Sequence, residues 1–269
     1  MDAYLQPTPT IQPGNPSFPA NSVTVPFPQA SVLAVDSYVA QQLQHDAAAA
    51  DQSMYQTLTQ EEHEAVLQKM VGIVQTPAGH LPRQEELYLE QQLTDMLGFE
   101  VVAELEGVRL PYSIGMMAAQ PHLRRHPTDL LMNHVTYLEA GIRESRGGFG
   151  WFTEMGQLTP AAVAREKYYI SVPISFLPTW QTQNDVLKNW MKFRKMLVIN
   201  PAEQCAVVSA VGDIGPADWM RAQFGGAPEV IRSAKIWSPN SRGHVLVMFI
   251  NDPHDTIPLG LLSLRYDRR

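Results

Sequence analysis

Ala206-Val-Val-Ser-Ala-Val-Gly-Asp-Ile-Gly-Pro-Ala-Asp-Trp219 decides how this chain is read. An uncharged, β-branched apolar run ends on Gly212-Asp213, Gly215-Pro216 turns the chain, and a helix-like segment follows. The pattern presents one carboxylate, Asp213, at the mouth of a buried strand. Burial at such a place raises a carboxyl's pKa and suits a general acid. The same residues also fit a plain helix cap, with Asp213 as N-cap and Pro216 in the first turn of a helix over 216–223.

Further strand patterns surround this one. Phe99–Leu105 alternates, and Val108–Ile114 continues it after the Gly107 turn. Lys167–Ile174, Lys195–Ile199, Gln204–Val211 and His244–Ile250 are strand-like, with turn residues at Asn200-Pro201, Asn240–Gly243 and Asn251–Pro253 between them. Short helices are expected at 128–140, 185–192, 216–223 and 227–234. Many strands, long connections and no βαβ rhythm predict an α+β chain with a mainly β, barrel-like domain over 99–269.

The front of the chain differs. Residues 1–35 are rich in Pro, Ser, Thr, Gln and Asn and predict a disordered, polyproline-like arm. No Lys or Arg precedes Lys69. A weak helix is expected over 36–57. Thr59-Gln-Glu-Glu62 is a capping-box signature that opens a helix to about Val74. Thr76–Gly79 breaks it, and Gly98 stops a further helix over 83–97. The 36–98 segment therefore reads as a helical unit for packing or self-association.

Bulk properties exclude several classes. The 269 residues suffice for one large domain or two small ones, and a formal charge of -7 argues against a nucleic-acid partner. Cys205 is the single cysteine, so neither an intrachain disulfide nor a thiolate metal cluster is available. It lacks a catalytic setting, and no Gly-x-Ser-x-Gly occurs. No apolar run approaches the ~20 residues of a membrane span, and no secretory signal pattern is visible.

Asp213 is accordingly the leading catalytic candidate, with Asp218, Glu229 and Asp252 as further acids. Aromatic rings that can stack on a sugar are Trp151, Trp180 and Trp219, with Phe149 and Trp190 as alternatives, all equally readable as core. His254, between Asp252 and Asp255, joins the candidate binding groups, although an Asx-type turn explains that loop too. His122 and His126 have two-ligand helical spacing, and His134 and Asp129 follow. Pro121, Pro127, Arg124 and Arg125 instead favour a polar surface loop, so neither a metal nor another cofactor is expected.

The run AVVSAVGDIGPADW, followed by FGGAPEVIRSAKI, resembles the core of double-psi β-barrel proteins. Fungal-type chitosanases, lytic transglycosylases and rare lipoprotein A-like domains carry related strand-Asp-turn elements. The run, with HVLVMFINDPHDTIPLG after it, is also similar to a block in uncharacterised bacterial proteins. The likeness covers Arg194 to Gly260. It implies a double-psi-like six-stranded barrel, polysaccharide or peptidoglycan as the partner, and Asp213 as general acid/base. A cell-surface or extracellular site would go with that activity. The chitosanase glutamate is replaced by Phe224-Gly225-Gly226, and Glu229 is the next acid. Single-acid lytic chemistry therefore fits better than a two-carboxylate inverting mechanism. The alternative is a non-catalytic carbohydrate-binding or assembly protein on the same barrel.

Overall fold

The computed structural model describes residues 58–216, 221–236 and 242–266. The expected arm and first helix, together with Asp218 and Trp219, lie outside the described residues. Thr59 caps α1 (Gln60–Val74) and forms the full capping box with Glu62. Helix α2 (Arg83–Leu97) stops at Gly98, whose φ of 73° is left-handed.

Ten strands follow. They are β1 (Val101–Val102), β2 (Glu104–Leu105), β3 (Val108–Arg109), β4 (Ile114–Ala119), β5 (Tyr169–Val172), β6 (Lys195–Asn200), β7 (Cys205–Ile214), β8 (Phe224–Gly226), β9 (Arg242–Ile250) and β10 (Gly260–Ser263). Three helices interleave: α3 (Pro160–Lys167), α4 (Trp180–Met191) and α5 (Pro228–Ser233).

The pairings close a ring. Strand β9 pairs β4, then β8, β5, β7 and β6 follow in turn, and β6 returns to β9. The result is a six-stranded mixed β-barrel within an α+β chain. Pairs β4–β8 and β5–β7 are parallel, and the rest of the ring is antiparallel. Strand β1 extends the sheet beside β9, and β10 beside β7.

Period-two alternation places the side chains. Met196, Val198, Val207, Val211, Val247 and Phe249 share one apolar cluster. Their neighbours Leu197, Ile199, Ala206, Val208, Leu246 and Met248 join Leu67, Met70, Leu89 and Leu93 of the two N-terminal helices. These strands bury both faces, which is why they read as near-continuous apolar runs.

Several elements differ from expectation. The helix expected over 128–140 is two short 3₁₀ turns, Leu131–Asn133 and Leu138–Ala140. Asp129 captures local backbone and side-chain donors there, and Tyr137 takes a left-handed φ of 52°. Of the helix expected over 216–223, Arg221–Gln223 are irregular and 217–220 are outside the described residues. Phe224-Gly-Gly226, expected as a turn, is the ring strand β8. A Cβ on Gly225 would overlap the side chains of Gln120 and Ser171, so close strand packing explains this glycine.

Candidate metal centre

The connection from Gln120 to Thr159 crosses the barrel with almost no regular structure. It is held down by charge. His122 follows β4 directly, and its backbone bridges Gly141 and Arg143 at 3.0 and 2.9 Å. Its ring Nε2 lies 3.0 Å from the Thr136 carbonyl oxygen. That oxygen can only accept, so Nε2 donates to it and Nδ1 faces the Glu166 and Glu229 carboxyls.

His134 is fixed in a similar way. Its Nε2 is 3.0 Å from Asp129 Oδ2, and its Nδ1 is 3.1 Å from Glu166 Oε2. Asp129 also accepts from the Arg125 amide at 2.8 Å and from Arg125 Nε at 3.1 Å. Glu166 comes from α3, which Thr159 caps with Pro160 in the first turn. Its Oε1 accepts from the Leu123 amide at 3.1 Å and lies 3.5 Å from His122 Nδ1.

Glu229, in the first turn of α5, completes the cluster. Its Oε1 accepts the Thr136 hydroxyl at 2.5 Å, and its Oε2 is 4.0 Å from His122 Nδ1. The two imidazole rings are 4.5 Å apart between centroids. One donor atom from each of His122, His134 and Glu166 lies within 4.8 Å of the others. His122, Arg125, Asp129, His134, Glu166 and Glu229 are all buried.

Such burial is costly unless each charge is compensated. Burial pushes the Glu166 carboxyl up, but the two histidines and Arg125 more than reverse this and leave it below its ordinary value. The same holds for Asp129, through His134 and Arg125. Burial would lower His134, yet its bonds to Asp129 and Glu166 raise it. Glu229 stays raised by burial, with Thr136 countering in part. Despite these contacts, His122 Nδ1 and Glu229 Oε2 have no hydrogen-bond partner, while Glu166 Oε2 meets the His134 ring at 3.1 Å.

The polar surface loop expected over 121–134 keeps Pro127, Thr128, Leu130 and Met132 exposed but buries His122, Arg125, Asp129 and His134. Arginines at 124 and 125 do not prevent this, because Asp129 neutralises Arg125 inside while Arg124 reaches the Pro127 carbonyl. His126, half-buried beside Thr128, is not in the cluster. The paired histidines are His122 and His134, which no helical spacing connects. Glu166, far along the chain, carried no local signal at all.

Asp213 ends β7 as expected, but its side chain is only 2% exposed. Oδ2 pairs with Arg143, and Oδ1 accepts the Gly148 amide at 2.6 Å. Asp252 sits elsewhere, 2.6 Å from Lys195 Nζ, and accepts the Thr256 and Ile257 amides at 2.9 and 2.8 Å. His254 is exposed in that same turn. Trp180 opens α4 half-buried against the apolar cluster, and Trp151 is half-buried. Of the four acids singled out as catalytic candidates, Glu229 is the one among the described residues that joins the histidine cluster.

Comparison of the chain with known families, curated proteins and solved structures finds no match.

Proposed function

We propose that the protein is a metal-dependent hydrolase whose centre is a divalent cation held by His122, His134 and Glu166 and served by Glu229. One observation carries this reading: ligand atoms of His122, His134 and Glu166 lie buried within 4.8 Å of one another, His122 Nδ1 and the neighbouring Glu229 Oε2 lack partners, and Nε2 of each ring is committed to an oxygen. That outer arrangement is how metal-binding imidazoles are oriented.

Charge also balances. With His134 protonated and Glu229 neutral, Asp129 and Glu166 offset Arg125 and His134. With a dication replacing those two protons, three carboxylates offset Arg125 and the ion. The ion would supply an acidified water. Glu229 would hold that water's proton at Oε2, and Thr136, exposed at the surface, marks the side from which substrate arrives. Polysaccharide or peptidoglycan remains the substrate class, on the strength of the double-psi resemblance.

A second reading keeps the strand-end acid, with Asp213 as general acid/base of the same polymer cleavage. The closed barrel and the position of Asp213 at the end of β7 support it. It requires Arg143 to release the carboxylate when substrate binds.

The test is metal content of the full chain after reconstitution with zinc, iron(II) or manganese(II), followed by turnover on chitosan, chitin, cellulose and peptidoglycan. One bound equivalent, lost in His122→Gln with the fold intact by circular dichroism, is the expected result. A folded wild type that binds none of the three sinks the metal reading. Turnover that survives His122→Gln and stops in Asp213→Asn selects the second.

A further inference from the structure

A concavity of about 260 Å³ lies between the glycine turn after Arg146 and the last turns of α4. Arg146, Lys188 and Lys192 line it, with Asn189 and the turn Gly148-Phe149-Gly150. No carboxylate is among these residues. Lys188 Nζ stands 5.4 Å from the centre of the Trp180 ring, and Lys192 Nζ 5.0 Å from that of Phe193. Among the described residues, no acid pairs with any of the three cations. In a chain with 27 acidic and 20 basic residues, such a grouping needs a cause.

Helix-end lysines complement a helix dipole, and that accounts for Lys188 and Lys192. It does not account for Arg146 on the opposite wall, nor for the concavity. Converging cations around a low-dielectric hollow focus a positive potential there. The volume is below that of drug-sized sites, so it admits one compact group.

The turn that forms this wall is rigidly placed. Asp213 Oδ1 holds the Gly148 amide, while Oδ2 holds Arg143. A Cβ on Gly148 would stand 2.8 Å from Ile214 Cγ1, and one on Gly147 would stand 2.8 Å from the Gly212 carbonyl oxygen. The turn thus lies flush on the end of β7, and Arg146 beside it lines the hollow.

We propose that this concavity binds an oxyanion, a carboxylate or phosphate group of the ligand, and that Asp213 is its positioning residue. The assignment is independent of the metal centre, since no residue is shared. A charged oxygen gains charge-assisted hydrogen bonds from the guanidinium and both ammonium groups.

Calorimetric titration of the full chain with glucuronate, inorganic phosphate and glucose at low salt tests this. Glucuronate or phosphate should bind in the millimolar range and glucose should not; which anion binds names the source. The R146Q/K188Q/K192Q variant should weaken that binding about tenfold or more. Gly148→Ala, which displaces the turn against Ile214 and the Asp213 carboxylate without removing a charge, should weaken it as well, with unchanged circular dichroism. Absence of binding by both anions overturns the proposal, as does equal binding of glucose or full affinity in the triple variant. Full affinity in both Gly148→Ala and a folded Asp213→Asn would remove the positioning role.

Discussion

In the barrel, β6, β7 and β9 bury apolar side chains on both faces, against an interior cluster and against the N-terminal helices. In the connection from Gln120 to Thr159, the buried side chains include His122, Arg125, Asp129 and His134. One region is held by surface removed from water, which is non-directional and tolerant of small shifts. The other is held by directional pairs in which a single missing partner strands a charge. A long irregular connection buries backbone that no ladder satisfies, so side chains must satisfy it. Glu166 does this for the Leu123 amide and Asp129 for the Arg125 amide. The difference teaches that the polar cluster has two jobs in one place: it pins the crossover and leaves donor atoms pointing at a common centre.

The largest effect should come from the barrel. Phe249→Ala opens a cavity at a side chain 1% exposed and should cost about 4 kcal/mol, read from the denaturant midpoint. A loss under about 1 kcal/mol would mean that the interior does not hold the barrel.

The crossover should break differently. Asp129→Ala leaves Glu166 as the single carboxylate facing both Arg125 and His134 and should cost about 3 kcal/mol. Trypsin should then cut first at Arg124 and Arg125 while the barrel amides keep their hydrogen-exchange protection. Uniform loss of protection would show that the two regions unfold as one and would erase the contrast.

Metal should act on the same side of the comparison. Zinc at a hundredfold excess over its dissociation constant should raise unfolding free energy by about 2.7 kcal/mol, and a chelator should reverse this. A melting point indifferent to both would leave pinning as the cluster's sole task.

The barrel carries a buried ion pair, Lys195 with Asp252, and this permits a sharper test. Burial pushes the Asp252 carboxyl up, but the Lys195 hydrogen bond and the Thr256 and Ile257 amides draw it down to about 2 from 3.8. A depressed carboxyl stabilises above its unfolded pKa and loses that contribution as pH falls through the folded one. Stability should therefore drop by about 2 kcal/mol between pH 4 and pH 2, seen as a falling melting temperature. Asp252→Asn should flatten the Asp252 share of that slope; an unchanged slope would assign it to other carboxyls.

Smallest is the helix stop. Gly98→Ala forces an alanine to a φ of 73° and should cost about 1 kcal/mol without altering metal or anion binding. Altered binding would show that α2 communicates with the crossover.

The barrel region was the legible one. The capping box at Thr59, the stop at Gly98 and the runs that became β6, β7 and β9 were visible because each depends on near neighbours. Strand β8 was hidden because Gly225 and Gly226 carry no side-chain period. Glu229 was noticed as an acid, and His122, His134 and Asp129 were weighed as ligands but read as a polar loop; Glu166, far along the chain, was not seen, since folding alone brings these groups together. Asp213 was placed correctly at a strand end, yet its pairing with Arg143 and the Gly148 amide depends on a turn 65 residues away from it in the chain.

Local chemistry in the sequence determined the elements: apolar period two for strands, caps and stops for helices, and an α+β class with a β-rich C-terminal part. Only tertiary structure decided which strands close the ring, which polar groups are buried and which lone pairs lack a partner. Periodicity is a property of a few consecutive residues. Charge compensation and convergence are properties of groups that become neighbours only when the chain returns on itself.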